Sequence, residues 1–208
     1  LLSFAADRSS RIPMHVKKMM LEVSIDAGSA EDCQYLLDLP GFSDDHPALQ
    51  AMMMFRLGEE EKARLLLRQW QDHPEHGAES RLCLWALAQK PSKAADASEL
   101  IRELAEIDPV MSAMEALLTG DDMPALPEAA LARCQQALIR CGAWDAWIIF
   151  RRKIHSRYAV LHLPAGTMHT LLSAPAHIKR EFLGLCQSYE ERTSFSERVA
   201  IGVIAHSA

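Results

Sequence analysis

The sequence predicts an all-α protein whose middle is built from stacked helical hairpins, and three observations predict it. The chain is dominated by Ala, Leu, Met, Glu, Gln, Lys and Arg, residues that lose little on entering a helix. Long β-branched runs are absent, and Ile148-Ile149 and Val203-Ile204 are too short to argue for a strand. Turn signals recur about every 12 to 17 residues, from Gly28-Ser29 and Pro40-Gly41 through Gly58, Pro91-Ser92 and Gly120 to Gly142 and Pro175. Helices of three to four turns joined by short loops follow from that spacing.

The first helix is expected from Pro13 to Ala27, with Met14, Val16 or Lys17, Met20, Leu21 and Val23 to Ile25 on its apolar stripe. Ser29-Ala30-Glu31-Asp32 then has the form of a capping box, in which a hydroxyl and a carboxylate satisfy the first free N–H groups of a helix. That helix carries Cys33 and Leu36-Leu37 and stops at Pro40-Gly41. Two hairpins follow: Pro47 to Arg56 with Glu59 to Asp72, and Glu79 to Gln89 with Ser92 to Glu106. Pro109 to Leu118 and Pro127 to Cys141 make another, and Ala143 to Arg157 is a further helix. The tail holds two weaker ones, near Ala176 to Glu190 and Ser194 to Ala205, after a break at Leu161 to Gly166.

The hairpins repeat. Residues 45–74 overlay 79–108 at an offset of 34, since 79 minus 45 is 34. Ala63 falls on Ala97, Leu66 on Leu100, Arg68 on Arg102 and Gly58 on Ser92. A small residue at 63 or 97 lets two helices approach closely, and a proline after the second helix redirects the chain. Gly58, Ala63, Leu67, Trp70 and Pro74, and again Ala97, Ile101, Leu104 and Pro109, resemble the second half of the tetratricopeptide repeat. Gly28, Cys33, Leu37 and Pro40 suggest a shortened earlier copy, and residues 110–141 a degenerate later one. The resemblance covers roughly residues 14–120 and implies a right-handed αα-hairpin solenoid with a C-terminal helical cap. The first helices depart from the family pattern: Trp85 stands where a small side chain is expected. The competing architecture is an irregular helical bundle. The expected organisation is an extension over 1–12, repeats over 13–142 and a cap or extension over 143–208.

Composition restricts function. Apolar residues make up 49% and charged residues 24%, so a sizeable core is available and wholesale disorder is excluded. A net charge of -6 gives no general attraction for nucleic acid or anionic membranes. Five widely spaced cysteines without a CxxC fit neither a disulfide framework nor a zinc site; they imply free core thiols in a reducing, cytoplasmic compartment. No apolar stretch reaches 18 residues, so no membrane-spanning helix is expected. The opening Leu1-Leu2-Ser3-Phe4-Ala5 is too short for a secretion signal, and without an initiator Met the chain is expected to be a fragment or a processed form.

Chemistry-bearing patterns are weak. His73-Pro74-Glu75-His76 has two histidines at a metal-sharing spacing, but Pro74 and Gly77 place it in a loop with no cluster to complete a shell. Cys134 and Cys141 share a helix face and are expected to be core thiols. Ser173, His169 and His177 lie near one another in sequence without a nucleophile elbow to fix them. No nucleotide-binding glycine motif occurs, and neither catalysis, a metal nor a cofactor is expected.

The expected role is therefore protein–protein interaction: an adaptor, scaffold or chaperone that grips a peptide or helix of another protein. The tetratricopeptide resemblance implies that first helices line a concave groove, and Met52, Phe55, Arg56, Leu82, Gln89 and Lys90 are its candidate residues. A component of a bacterial secretion or surface-assembly system is one specific form that the resemblance suggests. The second expectation is a regulatory helical domain touching nucleic acid through Arg151, Arg152, Lys153 and Arg157, which follow the aromatic Trp144, Trp147 and Phe150. Self-association is compatible with either.

Overall fold

The computed structural model describes residues 12–90, 94–120, 126–155, 167–187 and 201–206, and among them every regular element is helical. In chain order these are α1 (Met14–Ala27), α2 (Ala30–Asp38), α3 (Pro47–Arg56), α4 (Glu60–Trp70), α5 (Gly77–Ala88), α6 (Ala94–Ile107), α7 (Pro109–Thr119), α8 (Glu128–Arg140), α9 (Trp144–His155), α10 (Thr167–Leu172) and α11 (Ala176–Gln187). Residues 201–206 add a short helical segment. Helix α10 is an addition to the expected set. No helix among the described residues is long and apolar enough to cross a membrane.

Local chemistry sets the boundaries. Ser29 caps α2 through its hydroxyl, which accepts from the Asp32 N–H at 3.1 Å, while the Asp32 carboxylate accepts from the Ser29 N–H at 2.8 Å. The Ser29 N–H, and the Ser29 hydroxyl donating to Asp32 Oδ2 at 3.0 Å, hold the Asp32 carboxyl below its ordinary value. Pro47 and Pro109 open α3 and α7, where a missing N–H costs nothing.

Gly58 and Gly142 close α3 and α8 in left-handed conformation, with φ of 80° and 67°. The two turns have the same hydrogen bonds. The Gly58 N–H donates to Phe55 and the Glu59 N–H to Met54, at 3.0 and 2.9 Å; the Gly142 N–H donates to Ile139 and the Ala143 N–H to Leu138, again at 3.0 and 2.9 Å. This pair of bonds is the Schellman motif. It joins α3 to α4 and α8 to α9, two helix pairs that pack together.

The chain divides into two compact units between Leu84 and Trp85, within α5. In the first unit α1 packs on α2 and α3, α2 on α3, and α3 on α4. Leu21, Ile25, Cys33, Leu36, Phe42, Met53, Ala63 and Leu67 form its core. Ala63 is wholly buried, as a close helix crossing requires. In the second unit α6 packs on α7, α7 and α8 on α9, α8 on α10, and α9 on α11. Its core centres on Met114, Leu131, Leu138, Trp147, Phe150 and Phe182. The border expected at 142/143 thus falls between α8 and α9, which pack on each other.

Every residue from Leu82 to Ala88 is buried. This apolar run has no polar side, and a helix of that kind is stable only when covered all round. Trp85, out of place for a small-residue crossing, is one of these covered side chains.

Candidate interaction surface

The six candidate groove residues fall in both units. Met52 on α3 and Leu82 on α5 are buried, so these two side chains contribute to packing rather than to an open wall. Phe55 is half-buried and Arg56 exposed. The Arg56 guanidinium reaches back to the end of α1, donating to the Ile25 carbonyl and, at 2.9 Å, to the Gly28 carbonyl. Those oxygens lack helical N–H partners, so a cation there satisfies them and complements the negative helix end. In the second unit Gln89 is half-buried and donates from Nε2 to Glu115 Oε2 at 3.2 Å, and Lys90 is half-buried.

The methionine run divides by face. Met53 is fully buried beside Met52, and Met54 is only partly covered. Successive residues point about 100° apart, so three in a row necessarily span different surroundings. Exposed apolar side chains lie on several helices, among them Leu65 of α4 at 61% and Ile107 of α6 at 56%; on α1, Met19 is 56% and Val23 59% exposed, one helical turn apart.

The basic helix is committed to its own unit. Arg151 is buried at 9% exposure; its Nη1 donates to the buried Gln135 Oε1 at 3.1 Å, and its guanidinium lies 5.9 Å from the Phe182 ring centroid. Arg152 pairs with Glu181 of α11. Lys153 donates to the carbonyls of Leu118, at 3.4 Å, and Gly120, at the end of α7. Arg157 lies outside the described residues.

His73 and His76 of the α4–α5 loop form an aromatic cluster with Trp70, the last residue of α4. Their ring centroids are 4.8 Å apart for Trp70–His73, 5.5 Å for Trp70–His76 and 5.0 Å for His73–His76. The His73 Nδ1 accepts from the N–H groups of Glu75 and His76 at 3.3 and 3.4 Å, so this nitrogen orders the loop. Among the described residues no group of three or more His, Cys, Asp or Glu side chains is placed to hold a metal. Cys134 and Cys141 are fully buried, and burial pushes the Cys134 thiol up to about 12. Burial likewise raises Cys33, whose Sγ lies 3.5 Å from the Ser24 carbonyl oxygen. The Ser173 hydroxyl donates to the Thr170 carbonyl at 2.6 Å, and His177 Nε2 lies 4.0 Å from Asp145 Oδ1. His169 is exposed.

Sequence reasoning missed a recurring use of cations: Arg56 and Lys153 each reach the carbonyl end of an earlier helix, and Arg81 reaches the Gln71 carbonyl after α4. Lys17 is a related case, buried with its Nζ donating to the Gly41 carbonyl at 2.9 Å beside the Phe42 ring. The sequence distances, from 10 residues for Arg81 to 35 for Lys153, put these pairs beyond local pattern reading. No protein-family model, no curated protein and no solved structure matches the chain.

Proposed function

We propose that the chain is a protein-interaction module, a helical-hairpin array that presents helix faces to an apolar helix or peptide of another protein. The observation that carries this is the packing order within each unit, where helices rest on their next and next-but-one neighbours. That order belongs to stacked hairpins, whose extended surfaces suit segment binding. The identical glycine turns after α3 and α8 and the 34-residue overlay support the same reading.

The contact surface we favour is the exposed Met19–Val23 face of α1, with Phe55 and Arg56 at the end of α3 as a second element. Methionine suits such a face because its flexible thioether adapts to different partners. Gln89 and Lys90 remain candidates in the second unit.

The test is affinity purification of tagged chain from its native host, followed by mass spectrometry. A stoichiometric protein partner is expected, and Met19→Glu with Val23→Glu is expected to lose it while circular dichroism stays unchanged. Phe55→Ala should weaken it. A nuclease-sensitive set of partners, or a lone homogeneous protein, overturns the proposal. Retention of the partner by the double variant removes α1 as the surface.

A further inference from the structure

His46 and His76 occupy equivalent places in the first unit. His46 immediately precedes Pro47, the first residue of α3, and its carbonyl accepts from the Gln50 N–H at 2.9 Å. His76 immediately precedes Gly77, the first residue of α5, and its carbonyl accepts from the Ser80 N–H at 3.0 Å. Each histidine therefore stands at the positive end of a helix, where added positive charge is unfavourable.

The surroundings of His46 sharpen this. Its ring bonds to the Met14 backbone at the start of α1, while its Nε2 is buried and has no hydrogen-bond partner among the described residues. The neutral ring tolerates that arrangement, because a bare nitrogen lone pair is all it leaves unsatisfied. Protonation adds an N–H donor with nothing to receive it, in a place shielded from water. The charged and titratable groups around the ring are Lys18 of α1, His76 of the α4–α5 loop and Asp45 of its own loop. Lys18 also lies 4.0 Å from Glu79 of α5, so the same corner includes an α1–α5 ion pair.

We propose that this corner is an acid-sensitive latch: neutral His46 holds the starts of α1 and α3 in place beside the start of α5, and its protonation loosens them. Burial is the largest effect holding the ring's titration below its ordinary value; Lys18 and His76 act the same way, and the Met14 bond and Asp45 oppose them. A group displaced downward in the folded state contributes stability above its unfolded value, about 6.5 for histidine, and that stability is lost as pH falls through the folded value. The latch is therefore closed at neutral pH and weakens on acidification.

Hydrogen exchange of the full chain at pH 7.5 and 5.5 tests this, comparing wild type with His46→Gln. The chemical pH dependence of exchange cancels in the ratio between the two proteins. In segments 14–18, 44–50 and 71–80 the wild type is expected to open more than the variant on acidification, by up to about tenfold for each pH unit of displacement. Segments of α8 and α9 are expected to keep a constant ratio. An equal acid response in the two proteins overturns the proposal. If His46→Gln does not fold, the His46 Cε1–H resonance of the wild type decides instead: titration below about 6.5 supports the latch, and titration at or above it overturns it.

Discussion

Arg151 divides its guanidinium between the Gln135 amide and the face of Phe182, at the centre of the second unit. Its charge therefore contributes to the core of that unit. Arg151→Ala removes a charged partner from a buried amide and the packing of a long stem, and is expected to destabilise the chain by about 2 kcal/mol, read from urea unfolding. Arg152→Ala, at an exposed ion pair, is expected to cost well under half of that by the same measurement. Trp147 completes the setting, with its ring centroid 5.2 Å from that of Phe182. From sequence, 151–153 is a basic run; the periodicity of α9 assigns Trp147, Ile154 and the stem of Arg151 to one side, but nothing local announces Gln135, 16 residues earlier, as the acceptor.

The helices were largely legible because their ends are chemically punctuated. Ser29 with Asp32, Pro47, Gly58, Pro109 and Gly142 each act within a few residues, and those boundaries agree closely with expectation. Helix α10 was not legible: at six residues it is less than two turns and has too short a period to detect. The covered helix α5 was half legible. The run Leu82 to Ala88 has no polar face, which signals burial on all sides, yet a hairpin template assigns Leu82 an open one. Candidate surface residues were the least legible, since exposure depends on neighbours distant in sequence; Met52 and Val23 are both apolar helix residues, one buried and one open. At the turns the sequence makes a sharp prediction. A side chain at 58 meets no atom within 4 Å, so Gly58→Ala tests the left-handed backbone alone. It is expected to cost about 1 kcal/mol, measured as a shift in the urea midpoint with an unchanged slope.

Over the whole chain, 22 basic residues face 28 acidic ones, giving the net charge of -6. Several of the basic residues bind main-chain oxygen. Lys17, Arg56, Arg81 and Lys153 each serve a carbonyl at a helix end or in a turn, which ties elements together within their own unit. Charge counting therefore overstates how much positive surface is open to an acidic partner. It also separates the lysines by chemical reactivity. Acylation needs the lone pair of the neutral amine to reach the reagent, and a side-chain nitrogen packed against a carbonyl is blocked from that approach. With a limiting amine acylating reagent, Lys62, whose side chain is 68% exposed, is expected to label early. Lys17 and Lys153 are expected to label late, and to catch up once the chain is unfolded in urea. Peptide mapping of the acylated chain reads both rates, and early labelling of Lys17 or Lys153 contradicts the capping role. By the same logic, an enzyme that acetylates exposed lysines would find part of this chain's positive charge out of reach until a helix end opens.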